Sequence, residues 1–455
     1  MRATAVLLTW GFLFGIGCFL LSFSGGCGGS SQGTTVNNPP PAKIEHVIVI
    51  FQENRTPDNL FHGLPNADIA NSGVNSHGQT IPLAPIALAG GYDLVHAHLA
   101  FNWMYDGGKM DGADKIGVSC KTNCPPNPQF MYVNPSDVSP YFQLAQRYTF
   151  ADRMFQTNQG PSFPAHQFIL AGTSAPSVGS TLFAAENPTY PKDNTNPNGG
   201  CIAAPQTVVL LIDSLGKESS SSYPCYEHPT LSDLLSSNNI SWRYYAPSAG
   251  SIWTAPNAIQ HICVPDSTQS QCTGAIWSNN VILKQTQVLT DIANGQLPAV
   301  SWVIPSGLSS DHPRGNDGSG PSWVASIVNA VGNSSYWSNT AIFITWDDWG
   351  GWYDHVAPPI INSYEYGFRV PLIVVSPYAK PAYVSHVTHD FGSILKFIEN
   401  NFGLPSLGYA DAIADDLSDC FDFTQTPLVF QPVSAKYDAN YFLHDRRPPT
   451  DPDDD

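Results

Sequence analysis

Two apolar runs that end in acids constrain this chain more than any other feature. One is His46-Val-Ile-Val-Ile-Phe51, followed by Glu53-Asn54; the other is Thr340-Ala-Ile-Phe-Ile-Thr-Trp346, followed by Asp347-Asp348. An unbroken β-branched and aromatic run of this length reads as a strand buried on both faces, as in parallel sheets. Ligands of open α/β sheets bind beyond the carboxyl ends of the strands. Four oxygen-bearing side chains arriving there from far apart in sequence point to a hard metal ion. The plainer alternative is a helix N-cap at one end and a solvated turn at the other.

Strand-like and helix-like patterns alternate along the rest of the chain. Strands are expected at residues 45–51, 241–245, 299–304, 340–346 and 370–376. Helices are expected at 53–62, 139–147, 167–171, 228–238, 280–294, 322–331 and 391–400. This order predicts an α/β fold with a central, mostly parallel sheet and right-handed crossovers. Residues 187–224, rich in Pro, Asn, Gly and Ser, read as a loop insertion with one apolar run at 207–212. The terminal stretch 445–455, with its Pro and Asp residues, is expected to be disordered.

A chain of 455 residues can bury one large core or two modest ones. A hydrophobic content of 42% excludes global disorder. The net charge of −18 argues against nucleic acid or an anionic membrane surface as the main partner, because both need a basic patch. Arg2 precedes an apolar run from about Ala5 to Phe23 and then small residues around Cys27. Residues 1–27 therefore read as an export signal or a lipoprotein-type anchor, with a retained membrane tether as the alternative. Residues 28–43, with Pro39-Pro-Pro41, read as a flexible linker. Export makes disulfides plausible. Cys120/Cys124, Cys201/Cys225 and Cys263/Cys272 are close pairs in loop-like sequence, although spacing does not dictate connectivity, and Cys420 is left over. A zinc site at Cys120 and Cys124 is disfavoured by the lack of a second Cys/His pair at finger spacing.

The segment His46-Val-Ile-Val-Ile-Phe-Gln-Glu-Asn-Arg-Thr-Pro-Asp-Asn-Leu-Phe-His-Gly63 resembles the opening motif of the phosphoesterase family of bacterial phospholipases C and related acid phosphatases. Further motifs are similar to that family in the same order: Asp93-Leu-Val-His96, Gly107-Gly-Lys-Met-Asp111, Gly160-Pro-Ser-Phe-Pro164, Ser310-Asp-His-Pro313, Trp346-Asp-Asp-Trp-Gly-Gly-Trp-Tyr-Asp-His355 and Gly367-Phe-Arg-Val-Pro371. The resemblance runs over residues 44–405, with 406–455 as a C-terminal extension and acidic tail. It implies an alkaline-phosphatase-like α/β/α sandwich.

The resemblance also implies roles. Glu53, Asn54, Ser162, Asp347 and Asp348 would hold one divalent metal ion through oxygen, as suits Ca, Mg, Mn or Fe. Ser162 is the candidate nucleophile, and equally reads as a helix N-cap with Pro164 in the first turn. His96 and His312 would bind phosphate and move protons. Asn54, Lys109 and His355 would contact substrate. Arg369 would neutralise phosphate charge or tie a carboxylate such as Asp354. The family often has Asn after the proline of its serine motif, where this chain has Ala165-His166, so no phosphate contact is expected there. Trp103, Trp349, Trp352 and Tyr353 would pack in the core or rim, or cage a quaternary ammonium. The expected activity is metal-dependent hydrolysis of phosphoric monoesters, as in acid phosphatases. The alternative is a phospholipase C acting on phospholipid head groups, and the longer family members carry C-terminal β-domains that this chain is expected to lack. A third reading, a non-catalytic envelope binding protein, should have lost a ligand, and all five are present.

Overall fold

The computed structural model describes residues 43–191, 196 and 198–450. The export segment and most of the linker lie outside the described residues. Eight strands form the central sheet: His46–Gln52 (β1), Thr149–Ala151 (β2), Trp242–Tyr245 (β3), Val281–Ile282 (β4), Val300–Val303 (β5), Thr340–Trp346 (β6), Leu372–Val375 (β7) and Tyr383–Ser385 (β8). Their spatial order is β4-β3-β5-β1-β6-β7-β2-β8. Only β7 runs against the others, pairing antiparallel with both β6 and β2. The expected α/β class with a mostly parallel sheet is what the chain adopts. Every residue of β6 is buried, and so is all of β1 after His46. Both faces at the sheet centre are therefore covered, which is why these strands are continuous Val, Ile and Phe rather than alternating.

Helix ends follow local chemistry. Phe391–Phe402 starts with a capping box between Asp390 and Ser393 and stops at Gly403 in the left-handed conformation (φ 66°). Leu231–Ser237 is capped by Thr230 and Asp233. Four elements differ from expectation. The helix expected over 280–294 is divided, because Val281–Ile282 leaves as edge strand β4 and the helix is Gln287–Ala293. Strands β2 and β8 were not expected, being too short to carry a periodic signal. The run at 207–212 becomes Val209–Ile212, the middle of a three-stranded antiparallel sheet with Phe183–Ala184 and Ser220–Ser222.

The tail also departs from expectation. Helix Ala439–His444 packs Phe442 edge-on against Trp323, with ring centroids 5.2 Å apart. Arg447 Nη1 lies 2.8 Å from Asp317 Oδ2, and Thr450 O accepts from Gly307 N at 2.6 Å. Residues 445–450 are thus held by partners, and 451–455 lie outside the described residues. The three cysteine pairs Cys120–Cys124, Cys201–Cys225 and Cys263–Cys272 are disulfides, with Cys420 free and buried. This disposes of the zinc reading for the first pair and fits an oxidising compartment. Among the described residues, no helix is long and apolar enough to cross a membrane.

Candidate functional site

Strand register sets the first contacts. β1 and β6 pair in step from His46↔Thr340 to Gln52↔Trp346, so Glu53 and Asp347 leave the sheet side by side. Asp347 N donates to Gln52 O at 3.0 Å, and Asn54 N donates to Asp347 Oδ1 at 3.0 Å. Asn54 turns at once into the left-handed region (φ 58°), where a non-glycine residue persists only when its surroundings impose it. Gly350 (φ +62°) lies against it, and a Cβ at Gly350 would collide with the Asn54 carbonyl.

Ser162 arrives from another direction. It is the first residue of helix Ser162–Ala171, with Pro161 in the cap position. Ser162 is therefore not the N-cap that the motif allowed. Its hydroxyl instead donates to Asp348 Oδ2 at 2.9 Å. The cap is supplied by the insertion, where Asn187 Oδ1 accepts from Phe163 N at 2.9 Å. Gly160 is required just before, because a Cβ there would strike Ala185 O.

One turn beyond Ser162, the helix brings His166 to the same group. Its Nε2 lies 3.4 Å from Glu53 Oε1 and 3.8 Å from Asp347 Oδ2. One ligand-capable atom from each of the three residues lies within 4.8 Å of the others. All three are completely buried, as are Asn54, Ser162 and Asp348.

His96 closes the group. Its Nδ1 is 2.8 Å from Leu94 O, so in the neutral ring that nitrogen carries the proton. Nε2 lies 3.1 Å from the Asn54 side-chain amide and 3.8 Å from Asp348 Oδ2. The other end of that amide is 3.3 Å from both Glu53 Oε2 and Asp347 Oδ1, and with its nitrogen on that side it donates to both while its oxygen accepts from His96 Nε2. The burial of three carboxylates together is costly without a compensating positive charge, and so fits a cation.

His312 comes from the loop after β5. It is fully buried, with Nδ1 3.0 Å from Arg314 O and its ring 6.4 Å from that of His96. Buried Asp311 anchors this loop. Tyr141 and Trp346 donate to its Oδ2 at 2.8 and 3.0 Å, and Arg55 Nε donates to its carbonyl at 2.8 Å. Burial pushes the Asp311 carboxyl up to about 6 against the pull of Arg55.

Two expected substrate residues stand outside this group. Lys109 is exposed and pairs with Asp106 at 2.8 Å. His355 is held 2.8 Å from Asp58 Oδ2 and 3.0 Å from Asp68 Oδ1, in a network where buried Arg369 bridges Asp354 (2.9 Å) and Asp58 (3.3 Å). Arg369 thus ties carboxylates. Trp349 and Trp352 are buried, the first 4.8 Å from Phe368 and the second under Arg55. Tyr353 stacks on Phe130 at 5.0 Å, so of the four aromatics only Trp103 is exposed.

The sequence did not disclose three residues here. His166 registered only as the neighbour of Ala165, which stands where the family often has Asn, although its spacing of four from Ser162 puts both on one helical face. Glu186 and Asn187, where the insertion begins, line a cavity with His96 and Pro161. Glu186 Oε1 accepts from His98 N at 3.0 Å, and burial, reinforced by Glu218, pushes its carboxyl up to about 8. His98 Nδ1 lies 2.7 Å from Glu218 Oε1.

The chain is similar to several known proteins. A non-hemolytic phospholipase C of Burkholderia pseudomallei is 24% identical over 84% of this chain and 59% of its own length. A hemolytic phospholipase C of Pseudomonas aeruginosa is 23% identical over 84% of this chain and 56% of its own. This chain therefore spans little more than half the length of those relatives. A solved protein of the alkaline phosphatase superfamily from Vibrio parahaemolyticus aligns over 83% of this chain and 71% of its own, at 11% identity and a TM-score of 0.37. The family model named Phosphoesterase family matches residues 44–405, the span that contains every residue of the site, and the chain belongs to that family.

Proposed function

We propose that this protein is an exported, metal-dependent hydrolase of phosphoric esters that uses Ser162 as its nucleophile. The observation that carries the reading is the Ser162 hydroxyl at the start of a ten-residue helix, 2.9 Å from Asp348 and beside the buried Glu53–Asn54–Asp347 group. A bound divalent cation there would polarise a phosphoryl oxygen and favour the ionised serine. Asp348 orients the hydroxyl and takes its proton as Oγ attacks, returning it when the phosphoserine is hydrolysed. Ser162 Oγ forms the bond to phosphorus as the bond to the alcohol oxygen breaks. His96 or His312, when doubly protonated, gives the departing oxygen the proton of its Nε2. Water then attacks the phosphoserine, inorganic phosphate or a phosphoryl head group leaves, and Ser162 regains its proton. Full burial of Ser162, with His96 at the cavity wall, favours a slender terminal phosphoryl group and hence a monoester.

A phospholipase C-type diesterase is the second reading. It is favoured by Glu186 in the cavity wall beside His96, because a positively charged head group there would offset the burial and the Glu218 charge that otherwise hold the Glu186 carboxyl protonated.

The test is hydrolysis of p-nitrophenyl phosphate and of p-nitrophenyl phosphorylcholine, each with and without EDTA. Chelator-sensitive turnover of the monoester alone supports the first reading, and stronger turnover of the diester supports the second. No turnover of either with metals resupplied refutes both. Ser162→Ala should lower kcat by roughly 1,000-fold or more while leaving thermal unfolding unchanged. Full activity in a folded Ser162→Ala protein removes the nucleophile.

A further inference from the structure

The sequence leads to an all-oxygen donor set. We propose that His166 supplies an imidazole nitrogen to the same cation, so that the site selects a borderline transition ion over Mg²⁺ or Ca²⁺. The proposal rests on the metal-site reading above and on no substrate assignment.

The geometry carries it. His166 Nε2 lies 3.4 Å from Glu53 Oε1 and 3.8 Å from Asp347 Oδ2. A histidine–carboxylate hydrogen bond closes to roughly 2.7–2.9 Å, so both separations are too long for one. They suit two ligands sharing an ion. The ring cannot easily be elsewhere. It is completely buried, one helical turn from Ser162, with the Phe51 ring 6.1 Å away and Phe51 in turn against Phe391. The helix that delivers the nucleophile thus also delivers a nitrogen, and the carboxylates of β1 and β6 complete the cluster.

The chemistry of the donors follows. Imidazole suits manganese, iron, cobalt and zinc, whereas Mg²⁺ and Ca²⁺ take oxygen almost exclusively. A buried histidine among three carboxylates also lowers the negative charge of the donor set by one relative to a carboxylate in its place, which weakens the purely electrostatic attraction on which a hard cation depends.

The experiment reads the metal itself. The protein is stripped with EDTA, reloaded with Mn²⁺ and examined by pulsed electron paramagnetic resonance for nitrogen coupling. The same samples are titrated with Co²⁺ and Mg²⁺. The expected result is a nitrogen coupling in wild type that persists in His96→Gln and vanishes in His166→Gln. Co²⁺ affinity should fall by at least ~10–100-fold in His166→Gln, with Mg²⁺ affinity little changed. Circular dichroism of the stripped proteins checks the fold. If His166→Gln does not fold, wild type and His96→Gln still decide: Mn²⁺ bound without nitrogen coupling, or coupling lost in His96→Gln, overturns the proposal. So does Mg²⁺ displacing Co²⁺ at equal concentration. Coupling without hydrolysis of either ester leaves His166 a ligand and sinks the hydrolase reading. Chelator-sensitive hydrolysis without coupling does the reverse.

Discussion

At the scale of single residues, the two ionic clusters divide by charge balance. The Asp58–Asp68–Asp354–Arg369–His355 network carries its own cations, Arg369 and His355, within 2.8–3.3 Å of its carboxylates. Burial lowers the His355 pKa, but the Asp58 hydrogen bond and the Asp58 and Asp354 charges outweigh it and raise it to about 9. A folded-state value above the ordinary 6.5 stabilises the fold fully below about pH 6.5, and that contribution is lost as pH rises through 9. His355→Gln should therefore cost on the order of 2 kcal/mol at pH 6 and little at pH 10, read by denaturant melts at both values. An equal loss at both pH values would remove the charged role. Glu53, His166 and Asp347 are the second group, fully buried, with His166 Nε2 3.4 and 3.8 Å from the two carboxylates and one donor atom from each residue close enough to share an ion.

At the scale of elements, the site depends on close approach between turns. The turn after β6 passes against the turn after β1 at Gly350, which combines a positive φ with a Cβ position blocked by Asn54 O. Gly350→Ala should cost roughly 1–3 kcal/mol of stability. It should also weaken metal binding more than a core substitution of equal cost, because the displaced residue is Asn54. Calorimetric titration with Mn²⁺ against a stability-matched core variant separates these effects. The helix that begins at Ser162 works in a similar way: Gly160 allows the approach to Ala185, and Asn187 caps the helix, which leaves the serine hydroxyl to Asp348.

At the scale of the whole molecule, the C-terminal segment braces the loop that carries His312. Phe442 packs on Trp323 in helix Gly320–Gly332, Arg447 pairs with Asp317, and Thr450 bonds Gly307. The exposed Arg447 pair is worth little by itself, at most about 1 kcal/mol. The ring is worth more, and Phe442→Ala should destabilise by about 3 kcal/mol. If the brace matters for chemistry, the same variant should lower kcat for the better ester with KM nearly unchanged, at temperatures where it is fully folded. A variant that loses stability and keeps its kcat confines the segment to stability.

The apolar runs by themselves determined the central strands, because Val47–Phe51 and the run from Thr340 to Trp346 have few solutions other than a doubly buried strand. The acids after those runs were legible as a group because strand ends are where open α/β sheets bind ligands, and Ser162 joined them through the resemblance of its motif to the family's. The short strands β2, β4 and β8 were not legible, since two or three residues carry no period and pair only because the sheet is already there. Nor was the parting of His355 and Lys109 from the site. Both follow conspicuous motifs, but motif order says nothing of direction, and only the packed chain points one at Asp58 and the other at Asp106. His166 shows the same limit from the other side. Its spacing from Ser162 was in the sequence, but its distance from Glu53 and Asp347 exists only once a helix and two strands have met.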